Sequence, residues 1–287
     1  MRRLVLLLVW LTACKASLGE GMQDGSVPGD TDDDADAMPL GPWGAPTAIP
    51  ITPVADDDPS ATGDLLELYF NRADDIYVTT RASTADPWGT PAPVDELNSA
   101  ETETTPEVSY DGLTIYFASA RAPTLGGNDI WMATRASRAD PWGTPVHVPE
   151  LSSAAAEGAP VMADATTILI DTDRAGTLDI FIATRASATD PWDTPIEIPE
   201  LNGAEFEGNP VLDADKLTIY FDSNRTGDSE MYGATRTSPT AAFGTPTPIT
   251  ELNSTSSDTD PWLSPDGRTM YFTSNRDGTQ RLWQTTR

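Results

Sequence analysis

The sequence holds one cysteine, Cys14, one histidine, His147, and few basic side chains. A single cysteine excludes an internal disulfide. Because the chain has only one cysteine and one histidine, it also lacks the ligands for a zinc site of Cys and His residues. Lys and Arg together number 17 against 45 Asp and Glu, which gives a formal net charge of −28. Because phosphate binding needs clustered basic side chains, this balance argues against DNA or RNA as a partner.

The only long apolar run lies at the N-terminus, behind two arginines. It extends over residues 4–11, which is too short to span a bilayer and is typical of a secretory signal. The run ends in Leu11-Thr12-Ala13-Cys14, which resembles the lipobox of bacterial lipoproteins. The resemblance implies a signal peptide over residues 1–13, cleavage, and a lipidated Cys14 as the mature N-terminus; the alternative is a plain signal peptide with an incidental cysteine. Lys15 follows where an inner-membrane lipoprotein usually has Asp, so we expect the outer membrane.

Residues 14–41 are rich in Gly and Asp and contain almost nothing that could be buried. Such a composition predicts a disordered acidic tether, extended by its own charge. The folded domain is therefore expected to occupy residues 42–287.

Three short segments recur about every 50 residues beyond the tether, five times each. One begins with an aromatic residue and contains prolines: PWGAPTAIP (42–50), PWGTPAPVDEL (87–97), PWGTPVHVPEL (141–151), PWDTPIEIPEL (191–201) and AFGTPTPITEL (242–252). The second is LELYF (66–70), LTIYF (113–117), TTILI (166–170), LTIYF (217–221) and RTMYF (268–272). The third is DIYVTTR (75–81), DIWMATR (129–135), DIFIATR (179–185), EMYGATR (230–236) and RLWQTTR (281–287).

Each copy is typical of a four-stranded antiparallel meander. The second and third segments alternate in polarity and are rich in β-branched and aromatic residues, as strands are. The proline-rich segment must be an edge strand, because proline cannot donate to a ladder. The repeat region opens with an edge strand and ends with a third strand, so the first segment can complete the last sheet. We therefore predict an all-β fold, a single five-bladed β-propeller closed by its N-terminal strand.

The segment PWLSPDGRTMYFTSNRDG (261–278) resembles the Pro-Asp-Gly repeat of TolB-type and WD-repeat-like bacterial envelope propellers. The likeness is weaker in the first and third copies and covers about 230 residues. TolB proteins also carry an N-terminal α/β domain and a six-bladed propeller, and this chain has no room for that domain. The resemblance implies a place in the bacterial cell envelope and a protein partner there.

Every copy has a carboxylate three residues before the first proline of the innermost strand, and an arginine shortly after the second strand. The acids are Asp56, Glu103, Glu157, Glu207 and Asp258, and the arginines are Arg72, Arg121, Arg174, Arg225 and Arg276. Both series are expected at the same mouth of the central channel. The favoured interpretation is a structural ring of acid–arginine pairs, because a fold-wide element recurs whereas a function seldom needs five equivalents. The alternative is a site for a cation or a basic partner.

Other repeated residues have a structural and a functional interpretation too. The aromatics that begin the edge segments (Trp43, Trp88, Trp142, Trp192 and Phe243) are expected to pack between blades, or alternatively to stack on sugars. A second arginine series (Arg81, Arg135, Arg185, Arg236 and Arg287) is expected to pair with Asp86, Asp140 and Asp190 across the next loop. His147 is expected to be exposed.

These observations predict a lipid-anchored envelope protein whose propeller is a non-catalytic, protein-binding module and a monomer. The alternatives are a glycan-binding lectin or, less favoured, a propeller glycoside hydrolase. Hydrolysis needs carboxylates in unlike environments, whereas the repeated acids stand in near-identical ones. We identify no catalytic residue, no metal ligand set and no cofactor motif, and therefore expect the protein not to be an enzyme.

Overall fold

In the computed structural model, which describes residues 40–51 and 55–287, the chain is all-β, and Leu40–Arg287 form a compact unit. The predicted signal peptide, Cys14 and nearly all of the predicted tether lie outside the described residues. Among the described residues no helix is long and apolar enough to cross a membrane.

Within the described residues twenty strands form five four-stranded antiparallel sheets, which confirms the predicted five blades. The innermost strands are β2 (Asp56–Ala61), β6 (Glu103–Val108), β10 (Glu157–Asp164), β14 (Glu207–Leu212) and β18 (Asp258–Leu263). The second strands are β3 (Glu67–Arg72), β7 (Thr114–Ser119), β11 (Thr167–Thr172), β15 (Thr218–Ser223) and β19 (Thr269–Ser274). The third strands are β4 (Asp75–Thr80), β8 (Asp129–Thr134), β12 (Asp179–Thr184), β16 (Glu230–Thr235) and β20 (Arg281–Thr286).

The outer strands are only two residues long: β1 (Thr47–Ala48), β5 (Ala92–Pro93), β9 (Val146–His147), β13 (Ile196–Glu197) and β17 (Thr247–Pro248). Their brevity follows from the prolines around them, which cannot donate ladder hydrogen bonds. We number the blades 1 to 5 in the chain order of their innermost strands.

The N-terminal strand closes blade 5, as predicted. The sheet order is β1-β20-β19-β18, with Thr47 opposite Gln284 and Ala48 opposite Trp283. Two buried side chains flank β1, Trp43 and Ile49, and they join the hydrophobic clusters on the two sides of the blade. Closure thus joins the first described segment to the last by backbone pairing and by apolar burial.

Apolar residues of adjacent blades form the core. One cluster, for example, unites Tyr69 and Ile76 of blade 1 with Val108, Ile115 and Trp142 of blade 2. Each sheet buries both of its faces against neighbours, so the second strands, such as Thr114–Ser119, are almost entirely buried. The packing fixes the innermost strands around a central channel. All five begin at one face of the propeller, which we call the ring face.

Candidate functional site

Five ion pairs surround the channel at the ring face, each within one blade. The pairs are Asp56–Arg72 (2.6 Å), Glu103–Arg121 (2.8 Å), Glu157–Arg174 (2.9 Å), Glu207–Arg225 (2.9 Å) and Asp258–Arg276. All five carboxylates are buried. The antiparallel pairing of the first two strands places the acid opposite the last residue of the second strand, beside the arginine.

The ring carboxylates are also bonded to the chain segment that enters each blade. The backbone N–H of Ser99 donates to Glu103 at 2.7 Å, and the hydroxyl of Ser119 donates to the same carboxylate at 2.7 Å. Arg121 in turn donates to the carbonyl of Leu97, in the connection from blade 1. Equivalent bonds occur in blades 3, 4 and 5. With these partners the ring acids have little capacity left for a ligand, which favours the structural interpretation; that role stays a prediction.

A β-bulge interrupts every innermost strand just beyond the ring. Its residue has a positive φ between 41° and 56° in all five blades, and it directly precedes a proline: Asp58, Thr105, Ala159, Asn209 and Asp260. A bulge leaves its residue unpaired and re-aims the strand. The bulge turns the backbone N–H groups of successive blades away from the ladder, where they need other acceptors.

Side chains of the preceding blade accept these N–H groups. Thr105 donates to Asp58 Oδ2 at 3.3 Å, and Ala159 donates to the hydroxyl of Thr105 at 3.1 Å. Asn209 donates to Asp171 Oδ2 at 3.1 Å, and Asp260 donates to Asp222 Oδ1 at 3.4 Å. The buried carboxylates of Asp171 and Asp222 thus have a structural task, since each satisfies a backbone donor of the next blade.

Three further carboxylates meet in the channel where blade 5 adjoins blade 1. One oxygen from each of Asp57, Asp58 and Asp260 lies within 4.8 Å of the other two. We call this group the acidic trio. Asp57 and Asp58 lie on β2, directly after the ring acid Asp56, and Asp260 lies on β18.

Burial and mutual repulsion act on the trio. Burial, followed by repulsion from Asp260, raises the pKa of Asp57 to about 9. Burial also raises the pKa values of Asp58 and Asp260 well above the usual range, and neighbouring carboxylates raise them further. The main influences on these three pKa values are burial, neighbouring carboxyl groups and hydrogen bonds. The trio therefore differs from the ring, in which each acid has an arginine.

The channel beside the trio is narrow. Residues of all five innermost strands line a cavity of about 30 Å³, which holds one or two water molecules or an ion but no sugar ring.

At the opposite face Tyr110 crosses from blade 2 to blade 5, where its hydroxyl donates to the carbonyl of Leu263 at 3.0 Å. Glu107 also lines this cavity; Ser60 donates to it at 2.7 Å, and burial raises its pKa to about 8.

The aromatics that begin the edge segments are buried between blades. An arginine of the second series covers each ring at 4.0–4.4 Å: Arg287 over Trp43, Arg81 over Trp88, Arg135 over Trp142, Arg185 over Trp192 and Arg236 over Phe243. The four tryptophans also meet a tyrosine of the preceding blade edge-on, as Trp142 meets Tyr69. Rings covered on these sides offer no platform for a sugar.

Two expectations about polar residues are wrong. Among the described residues the second arginine series does not pair with Asp86, Asp140 or Asp190; each of its Nε atoms donates to a carbonyl of the first hairpin turn, as Arg81 does to Leu65 at 2.7 Å. Those aspartates accept serine hydroxyls of their own loop instead. His147 is only 14% exposed, because its Nε2 lies 2.8 Å from the buried Asp129 and its ring packs on Trp131.

The acidic trio was not predicted from the sequence. The predicted site consists of carboxylates that recur in every blade, whereas Asp57 has Thr104, Gly158, Gly208 and Thr259 as its equivalents. Alignment of the five copies holds a usable signal, since both positions after the ring acid carry Asp in blade 1 and the second carries Asp again in blade 5. What no alignment shows is that the bulge aims these side chains at one another.

At the sequence level no family model and no curated protein matches the chain. Solved structures with a similar fold include a TolB-type protein from Agrobacterium tumefaciens, at 19% identity and a TM-score of 0.54, over 81% of this chain and 77% of that one. They also include an α-L-arabinofuranosidase from Lactobacillus brevis, at 15% identity and a TM-score of 0.57, over 83% and 92% of the two chains. A GH43 endo-arabinanase from Bacillus licheniformis is similar at 11% identity and a TM-score of 0.55, over 82% and 94%.

These similarities show a shared propeller fold, with TolB-type propellers and glycoside hydrolases both among the neighbours. They correct the expectation that the chain is not an enzyme, because several neighbours are hydrolases with this fold. The premise of that expectation also fails in the structure. The repeated ring acids do have near-identical surroundings, but the channel contains other carboxylates, such as Glu107 and Asp171, whose surroundings differ.

Proposed function

We propose that the protein is a lipid-anchored protein of the bacterial cell envelope whose propeller binds a basic segment of a partner protein through the ring face. The fold shared with a TolB-type protein and the lipobox-like sequence before Cys14 support the location. The negative charge of the ring face is the observation on which the proposed binding of a basic segment rests.

The ring face has exposed carboxylates and no unpaired arginine among the described residues. Its six arginines are the five of the ring and Arg281, which pairs with Asp277 at 3.0 Å. Exposed acids lie in the connections that lead into the innermost strands and in the loops after the second strands. We call them the acidic crown: Asp74, Asp95, Glu96, Glu101, Glu150, Asp173, Glu200, Glu205, Asp228 and Glu251. Such a single-sign surface favours and steers a partner of opposite charge.

A pull-down from native membranes with the full chain as bait identifies the partner, and titration of the purified pair measures its Kd. The informative variant combines Glu150→Gln, Glu200→Gln and Glu251→Gln, which occupy equivalent crown positions in three blades. We expect it to weaken binding roughly 10-fold, from about 0.5 kcal/mol for each exposed pair lost. Binding should also weaken as ionic strength rises.

The matched control removes three carboxylates from the opposite face, by Asp86→Asn, Asp140→Asn and Asp190→Asn. These residues are exposed and recur in three blades too. The control should bind like the unmodified chain. Equal losses in the two triple variants would show that net charge alone matters, and a Kd insensitive to the crown variant would contradict the proposal.

The anchor is tested separately. Cys14→Ser should abolish metabolic labelling with a radioactive fatty acid and release the protein from membranes, because acyl chains supply about 0.8 kcal/mol per buried CH₂. Labelling that persists in the variant would rule out Cys14 as the acylated residue. Fractionation of the inner and outer membranes then tests the expected outer-membrane location.

Glycoside hydrolysis is the second candidate function, favoured by the unlike carboxylates of the channel. Glu107, with a pKa of about 8, is protonated at neutral pH as a general acid must be, whereas Asp171 has a pKa of about 6. The width of the cavity requires the channel to open before a sugar reaches these groups.

Hydrolysis of chromogenic arabinofuranosides and of arabinan tests the second candidate. If the protein is such an enzyme, Glu107→Gln should abolish turnover while the fold persists, and the distant Asp140→Asn should leave turnover unchanged. Activity that survives Glu107→Gln would exclude Glu107 as the acid.

A further inference from the structure

Three oxygen atoms on or near the acidic trio have no hydrogen-bond partner among the described residues. They are the buried atoms Asp57 Oδ1, Asn71 Oδ1 and Thr273 Oγ1. Thr273, only 3% exposed, lies on β19 of blade 5, with its hydroxyl beside the Asp57 carboxyl across the blade junction. Asn71 lies on β3, directly opposite Asp57 in the ladder. Buried polar groups are normally satisfied, so unsatisfied oxygens on and next to a cluster of carboxyl groups call for a ligand.

The chemistry of these groups selects a cation. Three carboxylates meet, the Thr273 hydroxyl lies beside one of them, and Asn71 stands opposite Asp57 in the ladder. Groups of this kind are hard oxygen ligands, without nitrogen or sulfur. A positive ion among them would replace repulsion by attraction.

We propose that the channel binds one Ca²⁺ ion between blades 5 and 1, with Asp57, Asp58 and Asp260 as its charged ligands and Asn71 and Thr273 as neutral ones. Ca²⁺ accepts six to eight oxygens in irregular arrangements, whereas Mg²⁺ demands near-ideal octahedral geometry. Five side chains from four strands suit the larger ion, and the cavity of about 30 Å³ has room for it and for a water ligand.

The position of the site implies a structural consequence. Asp260 and Thr273 belong to blade 5, and Asp57, Asp58 and Asn71 belong to blade 1, so the ion links the last blade to the first. The outer strand of blade 5, β1, comes from the other end of the chain and pairs with β20. Ca²⁺ is therefore expected to reinforce closure of the propeller, because it attaches the innermost strand of this composite blade to blade 1.

Isothermal titration calorimetry of the full chain, first depleted of metal with a chelator, tests the site. Titration with CaCl₂ in 0.3 M KCl, which screens the acidic surface, should give one ion per chain. Tm should rise by roughly 5–10 °C once free Ca²⁺ exceeds its Kd about 100-fold. MgCl₂ should produce a smaller shift. Absence of saturable heat and of a Tm shift up to 10 mM CaCl₂ would overturn the proposal.

Two variants separate the site from the rest of the acidic surface. Asp58→Asn combined with Asp260→Asn should abolish both the heat and the Ca²⁺-dependent rise in Tm. Its Tm without metal should not fall, because repelling carboxylates are removed, and this shows that the variant folds. Asp171→Asn, the same change in blade 3 of the same channel, should bind Ca²⁺ like the unmodified chain. Equal binding by the double variant would place the ion elsewhere and contradict the assignment.

Discussion

The ring acids and the acidic trio lie within two residues of each other on the innermost strands, yet their carboxyl groups have very different neighbours. Each ring acid recurs in five blades and has an arginine of its own blade. The trio occurs at one blade junction, and among the described residues one oxygen of Asp57 has no hydrogen-bond partner. Asp56 and Asp57 are adjacent in sequence, but only Asp56 belongs to the repeated pattern.

In a repeat protein, residues that recur in every copy and residues that occur in one copy are expected to have different roles. An interaction present in every blade is expected to serve what every blade needs, and for the ring we predict attachment of the incoming connection to the sheet. A residue that departs from the repeat serves something that the molecule does once. Burial of three adjoining carboxyl groups is costly, so their occurrence at a single junction indicates a ligand that offsets this cost.

Removal of residues 42–51 is expected to have the largest effect on the junction that holds the trio. The deletion takes away β1 with Trp43 and Ile49, which are both buried. Loss of two such side chains should lower the free energy of unfolding by more than about 5 kcal/mol, measured by urea denaturation. Removal of ten residues from the predicted tether is the control and should have no effect. A deletion variant of unchanged stability would refute closure through β1.

Breaking one ring pair should have the next largest effect. Arg121→Ala leaves the buried Glu103 without its counter-charge and should cost about 3–5 kcal/mol of the free energy of unfolding. Arg281→Ala removes a more exposed pair, with Asp277, and should cost less than about 1 kcal/mol. Similar costs for the two variants in urea denaturation would show that the ring is not a structural element.

The pH dependence of stability reports on the buried carboxyl of Asp171. Burial raises the pKa of Asp171 to about 6 in the folded chain from 3.8. The folded state therefore holds this proton more tightly, and the stability so gained is complete below about pH 4 and lost as the pH rises through 6. The loss is about 3 kcal/mol, from 1.36 kcal/mol per pKa unit.

Asp171→Asn removes this titration and keeps an acceptor for the N–H of Asn209. Between pH 4 and 6.5 the stability of the variant should therefore rise by about 2 kcal/mol relative to the unmodified chain. Urea denaturation at each pH measures the difference. Parallel pH profiles of the two proteins would contradict the raised pKa.

The smallest effect is expected from Asp260→Asn in the presence of a chelator. It removes a carboxyl whose pKa rises well above the usual range on folding, which opposes folding at neutral pH, and should raise the free energy of unfolding by about 1 kcal/mol. Asp258→Asn, two residues earlier on β18, is the matched variant, because it removes the ring partner of Arg276 and should be clearly destabilising. If both variants destabilise equally, the ring and the trio do not differ in the way described.

Much of the fold could be predicted because its signals repeat. Strand periodicity, proline at the sheet edges and the complementary ends of the repeat region together indicated five blades and their closure. The acid–arginine pairs followed from equal spacing in every copy. The trio could not be predicted for two reasons. It depends on a β-bulge, and no rule of sequence spacing predicts the positive φ at Asp58 and Asp260. It also depends on contact between β2 and β18, which are about 200 residues apart in the sequence.

Anomalous X-ray scattering from crystals of the protein grown with Ca²⁺ tests the contrast between ring and trio most directly. If Ca²⁺ binds at the acidic trio, we expect one strong anomalous peak within coordination distance of Asp57, Asp58 and Asp260, and none at the five arginine-paired carboxylates. A peak at any ring acid, or density at the trio that does not scatter anomalously, would contradict this expectation.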